Sequence, residues 1–210
     1  TNIAYNKTVK KLIVVYSNEN IDLIDDKFNV TNISDIYSKI ITDDKTINSI
    51  CINGIYAYLS TNFGVIKLNM KDAEVTNTYN FGAKINSCAI LDNNIYAASH
   101  EGIYLGNENS NLIDKSNWKI VTPNSFKGIY NYNNTIVCFT SDYIFKYNTD
   151  ANNYDLLDQG NFTYLSINNG KMIIGNSSSA TVYSDINNKS SINTDGNTTY
   201  IAYDSNNGYY

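Results

Sequence analysis

The feature that most constrains the fold is a strand pattern that recurs about every 40 residues along the whole chain. Each copy has a short apolar strand, a turn rich in Asn and Gly, a second strand, a polar loop and a third strand. The five copies lie at residues 10–24, 53–68, 93–105, 133–147 and 168–183. The equivalent third-strand residues are Ile21, Val65, Ile103, Ile144 and Val182. Repeats of this length that contain only strands are typical of β-propellers, in which each repeat forms one four-stranded blade.

We therefore predict an all-β fold, a β-propeller with about five four-stranded blades visible. We expect the blade copies at approximately residues 1–34, 47–80, 86–122, 127–158 and 162–194, with a partial sixth copy at 198–210. Helical periodicity is not sustained anywhere, whereas short runs of β-branched and aromatic residues are bounded by Asn, Gly, Ser and Asp throughout. The incomplete sixth copy leads us to expect a single propeller fragment of a larger ring, open at both ends.

The charge of the chain narrows the classes of partner. All 15 positively charged side chains are Lys, there is no Arg, and the net charge is -5. Arg is the side chain best shaped to grip phosphate, so its absence argues against a nucleic-acid partner. No apolar run approaches the length of a membrane-spanning helix, so no transmembrane segment is expected in this fragment.

The cysteines predict neither a metal site nor a complete set of disulfides. Cys51, Cys88 and Cys138 are odd in number, lie in apolar strands and have no C-x-x-C spacing. Cys51 and Cys88 each follow the tripeptide Ile-Asn-Ser, so we expect them at similar places in neighbouring blades. We interpret all three as small buried apolar residues and predict no cofactor and no metal.

The sequence offers no catalytic constellation. His100 is the only histidine, and it lies in a polar loop with no nucleophile motif or zinc spacing nearby. The clustered Asp residues do not fit the calcium loop with its terminal Glu. We therefore predict that the chain is not an enzyme. A propeller glycosidase or lyase stays open as an alternative, because the separation of paired carboxylates cannot be read from a sequence.

Ligand binding is expected on the loops between the second and third strands, where propellers commonly bind their partners. The candidate ligand-binding residues in these loops are Asn62, Phe63, His100, Glu101, Asp142, Tyr143 and Ser177. The tyrosines at strand positions, such as Tyr104 and Tyr183, are expected to fill the space between blades.

Several segments resemble known propeller families. The ending IAYDSNNGYY at residues 201–210 resembles the repeat of the periplasmic propellers of two-component regulators. The segments NIAY (2–5), YSNENIDL (16–23), KTIN (45–48) and AYLSTNFG (57–64) more closely resemble the N-terminal propeller of the PorZ family, which serves type IX secretion. The resemblance covers most of the chain and includes the Ser116-Asn117-Trp118 region.

This resemblance implies a seven-bladed ring and a non-catalytic role at the periplasm or outer-membrane surface of a Gram-negative bacterium. Its implied partners are other secretion and attachment proteins or a surface glycan, an anionic lipopolysaccharide. An acidic chain without Arg fits an anionic ligand poorly, so we expect such contacts in other parts of the protein or through a bound cation. The alternative is the periplasmic ligand-sensing propeller of a hybrid two-component regulator.

Overall fold

A computed structural model describes residues 2–34, 36, 44–148, 151, 153–194, 196, 201, 203–204 and 208–209, and nearly all of them lie in strands or tight turns. The chain divides into two compact units, residues 1–126 and 127–210. Each unit is built from four-stranded antiparallel sheets whose strands follow one another in chain order. No helix in these ranges is long and apolar enough to cross a membrane.

Unit 1 contains three sheets, here called blades 1 to 3. Blade 1 consists of β1 (Asn2–Asn6), β2 (Lys11–Val15), β3 (Ile21–Asp25) and β4 (Val30–Ile33). Blade 2 consists of β5 (Ile47–Asn53), β6 (Tyr56–Thr61), β7 (Gly64–Asn69) and β8 (Glu74–Asn80). Blade 3 consists of β9 (Ile85–Leu91), β10 (Asn94–Ser99), β11 (Ile103–Asn107) and β12 (Trp118–Thr122). A short 3-10 helix, Lys115–Asn117, precedes β12.

Unit 2 contains two sheets, blades 4 and 5, and a short hairpin. Blade 4 consists of β13 (Gly128–Tyr132), β14 (Thr135–Phe139), β15 (Tyr143–Asn148) and β16 (Asn153–Gln159). Blade 5 consists of β17 (Tyr164–Asn168), β18 (Lys171–Gly175), β19 (Ser179–Asp185) and β20 (Asn188–Asn193). The hairpin pairs β21 (Tyr203–Asp204) with β22 (Gly208–Tyr209). The rest of the partial sixth copy lies outside the described residues.

The predicted fold class is confirmed: the chain is all-β, with five four-stranded blades of a β-propeller fold. The third-strand residues that set the repeat lie in β3, β7, β11, β15 and β19, and each is buried. They are buried because a strand turns alternate side chains to opposite faces, and both faces of a blade pack against neighbouring sheets.

The hairpin turns within blades lie one residue away from two of the predicted positions. Asn53-Gly54 and Asn93-Asn94 are predicted turn positions because these residues tolerate positive φ, but β5 continues through Asn53 and β10 already begins at Asn94. The observed second turn has positive φ at Asp92 (48°) and Asn93 (60°). Asn and Asp tolerate this left-handed backbone because their short polar side chains bond locally, so a run of three such residues left the turn position ambiguous.

Apolar side chains fill the space between blades within each unit. In unit 1, residues such as Ile13, Leu23 and Leu68 form one core between blades 1 and 2. A second core between blades 2 and 3 includes Trp118 and Tyr104. Phe81 stacks on the ring of Tyr104 with centroids 5.0 Å apart. The expected packing of strand tyrosines between blades is therefore present.

A row of side-chain hydrogen bonds joins the innermost strands of unit 1. In each bond a side-chain amide at the start of one inner strand donates to a backbone carbonyl near the start of the next inner segment. The three pairs are Asn2 to Ile47 (2.9 Å), Asn48 to Ile85 (2.8 Å) and Asn86 to Phe126 (2.7 Å). These bonds tie the inner strand of each blade to the next along the chain and fix their relative position.

Candidate functional site

Four of the five predicted loops, those of blades 2 to 5, are compact hydrogen-bonded turns, here called the rim turns, at residues 61–64, 99–102, 140–143 and 176–179. In the turn at 99–102, the Ser99 hydroxyl accepts hydrogen bonds from the backbone N–H groups of Glu101 (3.0 Å) and Gly102 (3.2 Å). Thr61 and Thr140 repeat this arrangement in their blades. In blade 5 the side-chain oxygen of Asn176 takes the same place. The polar residue that starts each turn thus shapes it.

Two rim turns of unit 1 require glycine at their last position. Gly64 has φ +155° and Gly102 has φ +144°. A Cβ atom would lie 1.9 Å from the Tyr79 carbonyl oxygen at Gly64 and 1.7 Å from the Thr122 carbonyl oxygen at Gly102. The turn therefore approaches the outer strand more closely than any side chain allows.

The rim turns are also bonded to the connection that leaves each blade. The Phe63 carbonyl accepts from the N–H groups of Phe81 (2.9 Å) and Gly82 (3.1 Å). In unit 2 the Asp142 carbonyl accepts from the N–H of Gly160 (2.9 Å). These bonds hold the turns in place, so their outward side chains are presented on a fixed frame.

In blade 3 the rim turn exposes His100 and Glu101. Their side chains are 69% and 46% exposed, and His100 Nε2 lies 4.0 Å from Glu101 Oε1. The Tyr104 hydroxyl donates to Glu101 Oε2 at 2.5 Å. Burial together with this carboxylate raises the pKa of Tyr104 to about 12, so the phenol stays protonated and holds Glu101.

In blade 2 the two candidate residues of the rim turn, Asn62 and Phe63, have different surroundings. Phe63 is only 1% exposed and lies in the core between blades 1 and 2, so its side chain supports the turn from beneath. The Asn62 amide donates to Asp44 Oδ2 (2.6 Å) and accepts from Asn48 Nδ2 (2.9 Å). Hydrogen bonds from Thr46 and Asn62 lower the pKa of Asp44, which keeps this carboxylate charged beside the turn.

In unit 2 the candidate residues Asp142, Tyr143 and Ser177 are all exposed. Tyr143 shows 38% of its surface, and its ring lies 5.9 Å from that of Phe145. The backbone carbonyl of Ser177 accepts a hydrogen bond from the Thr194 hydroxyl. The structure thus brings Asp142 and Tyr143 together in one turn, while Ser177 lies on the next blade.

Sequence reasoning missed the residues that support the exposed ones. Asp44 and Asn48 hold Asn62, and Tyr104 holds Glu101. Tyr104 could have been found, because it lies three residues after Glu101 in the strand that leaves the turn. Asp44 could not, because it belongs to the connection before the blade. Within the described ranges no three His, Cys, Asp or Glu side chains come close enough to hold a metal ion.

A second concave surface lies at the other end of blade 3, near the loop between β11 and β12. This cleft has a volume of about 400 Å³. It is lined by Asn94, Leu105, Asn107, Ser110, Ser116, Asn117 and Lys119. Several of these amides bond within the protein, as in the 2.8 Å bond from Asn107 Nδ2 to Asn94 Oδ1. The lining combines polar side chains with the apolar Leu105 and includes no carboxylate.

Comparisons with known proteins agree with this architecture. Residues 1–119 match the family model of the type IX secretion protein PorZ, N-terminal beta-propeller domain. The solved structure of PorZ, a bacterial surface component of the type-IX secretion system of Porphyromonas gingivalis, is similar with a TM-score of 0.83 and 25% identity. The similarity covers 91% of this chain and 27% of that one, so the chain spans about a quarter of its relative's length. A search of curated proteins found no match.

More distant structures share the fold alone. The extracellular domain of a putative hybrid two-component system from B. thetaiotaomicron is similar with a TM-score of 0.67 and 15% identity over 97% of this chain and 30% of that chain. A chain of the mitotic checkpoint complex reaches a TM-score of 0.70 at 7% identity, over 93% of this chain and 64% of that one. The PorZ match differs from these because a sequence model and a structure point to one family. This chain belongs to the family of PorZ N-terminal β-propeller domains.

Proposed function

We propose that the chain is a non-catalytic binding module of an extracytoplasmic, PorZ-like component of type IX secretion and cell-surface attachment. Membership of the PorZ propeller family is the observation that carries this proposal. The rim turns supply the contact surface, since hydrogen bonds within each turn hold its exposed side chains on a fixed frame.

The charges on the rim favour a protein partner over a polyanionic glycan. In unit 1, exposed His100 and Glu101 lie on one turn, and Asp44 keeps its charge beside the next. These carboxylates complement a basic patch on a protein partner, whereas they would repel the phosphates of lipopolysaccharide. Binding of lipopolysaccharide, which the family resemblance suggests, would need contacts in other parts of the full protein or a bridging cation.

A photo-crosslinking amino acid placed at single positions of the full-length protein in its own cells tests this proposal. Positions 100 and 143 lie on rim turns, and position 109 is an exposed turn residue at the other end of blade 3. We expect positions 100 and 143 to give protein adducts, identified by mass spectrometry, that position 109 does not give. Glycan adducts at the rim would favour the lipopolysaccharide alternative. Equal adducts at 109 and at the rim, or adducts at 109 alone, would contradict the proposal.

The second candidate is the ligand-sensing propeller of a hybrid two-component regulator. It is favoured by the structural similarity to the extracellular domain of such a system. The complete reading frame separates the two functions: a downstream transmembrane helix and kinase domain would support the sensor, whereas a C-terminal β-sandwich would support the secretion component.

A further inference from the structure

Two of the three cysteines lie on facing sides of one blade junction. Cys51 is in β5 of blade 2, and Cys88 is in β9 of blade 3. The Ile-Asn-Ser tripeptide that precedes them gives a common reference for their positions: Cys88 follows it directly, whereas one residue, Ile50, separates it from Cys51. Because neighbouring residues of a strand point to opposite faces, this offset turns the two thiols in opposite directions relative to their own blades.

The packing agrees with this offset and corrects the expectation that the two cysteines occupy similar places. Ile50, the counterpart of Cys88, packs on the core between blades 1 and 2. Cys51 instead packs on the core between blades 2 and 3, which contains Cys88. The Cys51 side chain therefore points from blade 2 toward blade 3, and the Cys88 side chain points from blade 3 toward blade 2, so that the two thiols meet between these blades.

The contacts of Cys88 place its sulfur next to the strand position of Cys51. Cys88 Sγ lies 3.8 Å from the carbonyl oxygen of Tyr58. Tyr58 is the residue paired directly opposite Cys51 in the ladder between β5 and β6. All three cysteines are reduced in the structure.

We propose that Cys51 and Cys88 form a disulfide that links the inner strands of blades 2 and 3 when the chain is in an oxidising compartment. In this reaction the two thiols lose two protons and two electrons, a sulfur–sulfur bond forms, and a disulfide oxidant such as glutathione disulfide is reduced to two thiols. Extracytoplasmic proteins commonly keep such bonds. The similar PorZ is a bacterial surface component, and the oxidising location of this chain rests on the proposed function.

The hydrogen bond between the two thiols makes Cys88 the more acidic member of the pair. It lowers the pKa of Cys88 against the opposing effect of burial, whereas the same bond, together with burial, raises the pKa of Cys51. Cys138, in unit 2, offers a comparison: it is fully buried, its pKa is raised by burial, and its sulfur lies 4.0 Å from the Phe145 carbonyl. Cys138 should therefore stay a thiol under the same conditions.

Mass spectrometry of the folded chain tests the proposal directly. The reduced chain is incubated in native buffer with glutathione disulfide, then denatured, alkylated and digested with trypsin. Cleavage after Lys separates the cysteines into peptides 46–67, 85–115 and 128–146. We expect the first two peptides to be joined by a disulfide and the third to be alkylated at Cys138. The link should form at a rate that does not depend on protein concentration.

Single substitutions provide the controls. Cys138→Ser should leave the link unchanged, whereas Cys51→Ser and Cys88→Ser should abolish it. Three alkylated cysteines in the oxidised wild-type chain would overturn the proposal. A persistent glutathione adduct on Cys51 without the link, a link that includes Cys138, or a link that appears only in denaturant would overturn it as well. None of these outcomes depends on the proposed secretion role.

Discussion

In unit 1 and in unit 2, a carboxylate that bonds to a Tyr hydroxyl and a Lys ammonium joins neighbouring blades, but the three side chains come from different strands in the two units. Between blades 2 and 3, Glu108 accepts from the Tyr58 hydroxyl (2.8 Å) and from Lys67 Nζ (2.6 Å). Between blades 4 and 5, Asp158 accepts from the Tyr183 hydroxyl and from Lys189 Nζ, both at 2.8 Å. The acid belongs to the later blade in unit 1 and to the earlier blade in unit 2.

The two constellations differ in their exposure to water. The Lys67 and Glu108 side chains are 15% and 17% exposed, and Lys67 Nζ lies 4.2 Å from the centre of the Tyr56 ring. The Lys189 side chain is 47% exposed, and its Nζ lies 5.9 Å from the centre of the Tyr183 ring. The constellation in unit 1 should therefore contribute more to stability than that in unit 2, because a charge shielded from water cannot be hydrated when its partner is removed.

The pKa values of the acid and the tyrosine in unit 2 reflect this coupling. Burial alone would raise the pKa of Asp158, but hydrogen bonds from Lys189 and Tyr183 outweigh it and lower the pKa. Burial and the Asp158 carboxylate raise the pKa of Tyr183. The stabilisation from the ionised Asp158 carboxylate is present above the unfolded pKa of Asp158 and is lost as the pH falls through the lowered folded pKa. At the alkaline end, the stabilisation from the protonated Tyr183 hydroxyl is lost as the pH rises through the raised folded pKa of Tyr183.

The rim turns differ between the units in a similar way. In unit 1 the last turn residue is Gly64 or Gly102, each pressed against the outer strand. In unit 2 the corresponding residues are Tyr143 and Ser179, and neither has positive φ. The same turn thus has two forms, a close-approach form in blades 2 and 3 and a side-chain-bearing form in blades 4 and 5.

The largest effect should come from placing a side chain in the close-approach turn. We expect Gly102→Ala to lower the free energy of unfolding by about 3 kcal/mol, because its Cβ would overlap the Thr122 carbonyl. Gly82→Ala is the matched control, since Gly82 also has positive φ (+67°) but has open space around it, and it should cost about 1 kcal/mol. Urea unfolding measures both. Equal losses would show that backbone conformation, rather than close approach, makes glycine necessary.

The next effect should separate the two Tyr–acid–Lys constellations. Glu108→Gln leaves Lys67, which is only 15% exposed, without a counter-charge and should cost about 2 kcal/mol. Asp158→Asn leaves the half-exposed Lys189 able to reach water and should cost about 1 kcal/mol.

Glu74→Gln, at an exposed position of β8, controls for the loss of one carboxylate and should change stability by less than about 0.5 kcal/mol. Chemical unfolding of the three variants measures the difference. A loss for Asp158→Asn as large as that for Glu108→Gln would refute the argument from burial.

The repeat made most of the fold predictable. Strand alternation and turn residues placed each of the twenty blade strands, because both signals are local and recur at a constant period. The constellations were not predictable, since Glu108 lies 50 positions from Tyr58 and 41 from Lys67, in a loop with no repeating pattern. Only the packing of one blade on the next brings them together.

The candidate site was predictable in position but less so in detail. The polar loops indicated the rim turns, and His100 and Glu101 are exposed there as expected. Phe63 is predicted as a ligand contact because it lies in the loop between the second and third strands, yet it is buried. In a strand, the alternation of apolar and polar residues indicates which side chains face the core. A tight turn has no such alternation, so the direction of the Phe63 side chain depends on tertiary packing.

The smallest effect concerns the amide bonds between inner strands. Asn48→Ala removes the donor to the Ile85 carbonyl and should cost about 1 kcal/mol, because that carbonyl is left without its side-chain partner. At the equivalent position of blade 5, the Thr163 hydroxyl donates to the Gly175 carbonyl (3.3 Å) in its own blade. Thr163→Ala should therefore cost no more than about 0.5 kcal/mol.

Hydrogen exchange distinguishes a bond between blades from a bond within one. Asn48→Ala should speed exchange in both β5 and β9, since the lost bond joined blades 2 and 3. Thr163→Ala should change exchange in blade 5 alone. If Asn48→Ala affected only blade 2, the amide would act through its other bond, to Asn62, and would stabilise the rim turn rather than the junction between blades.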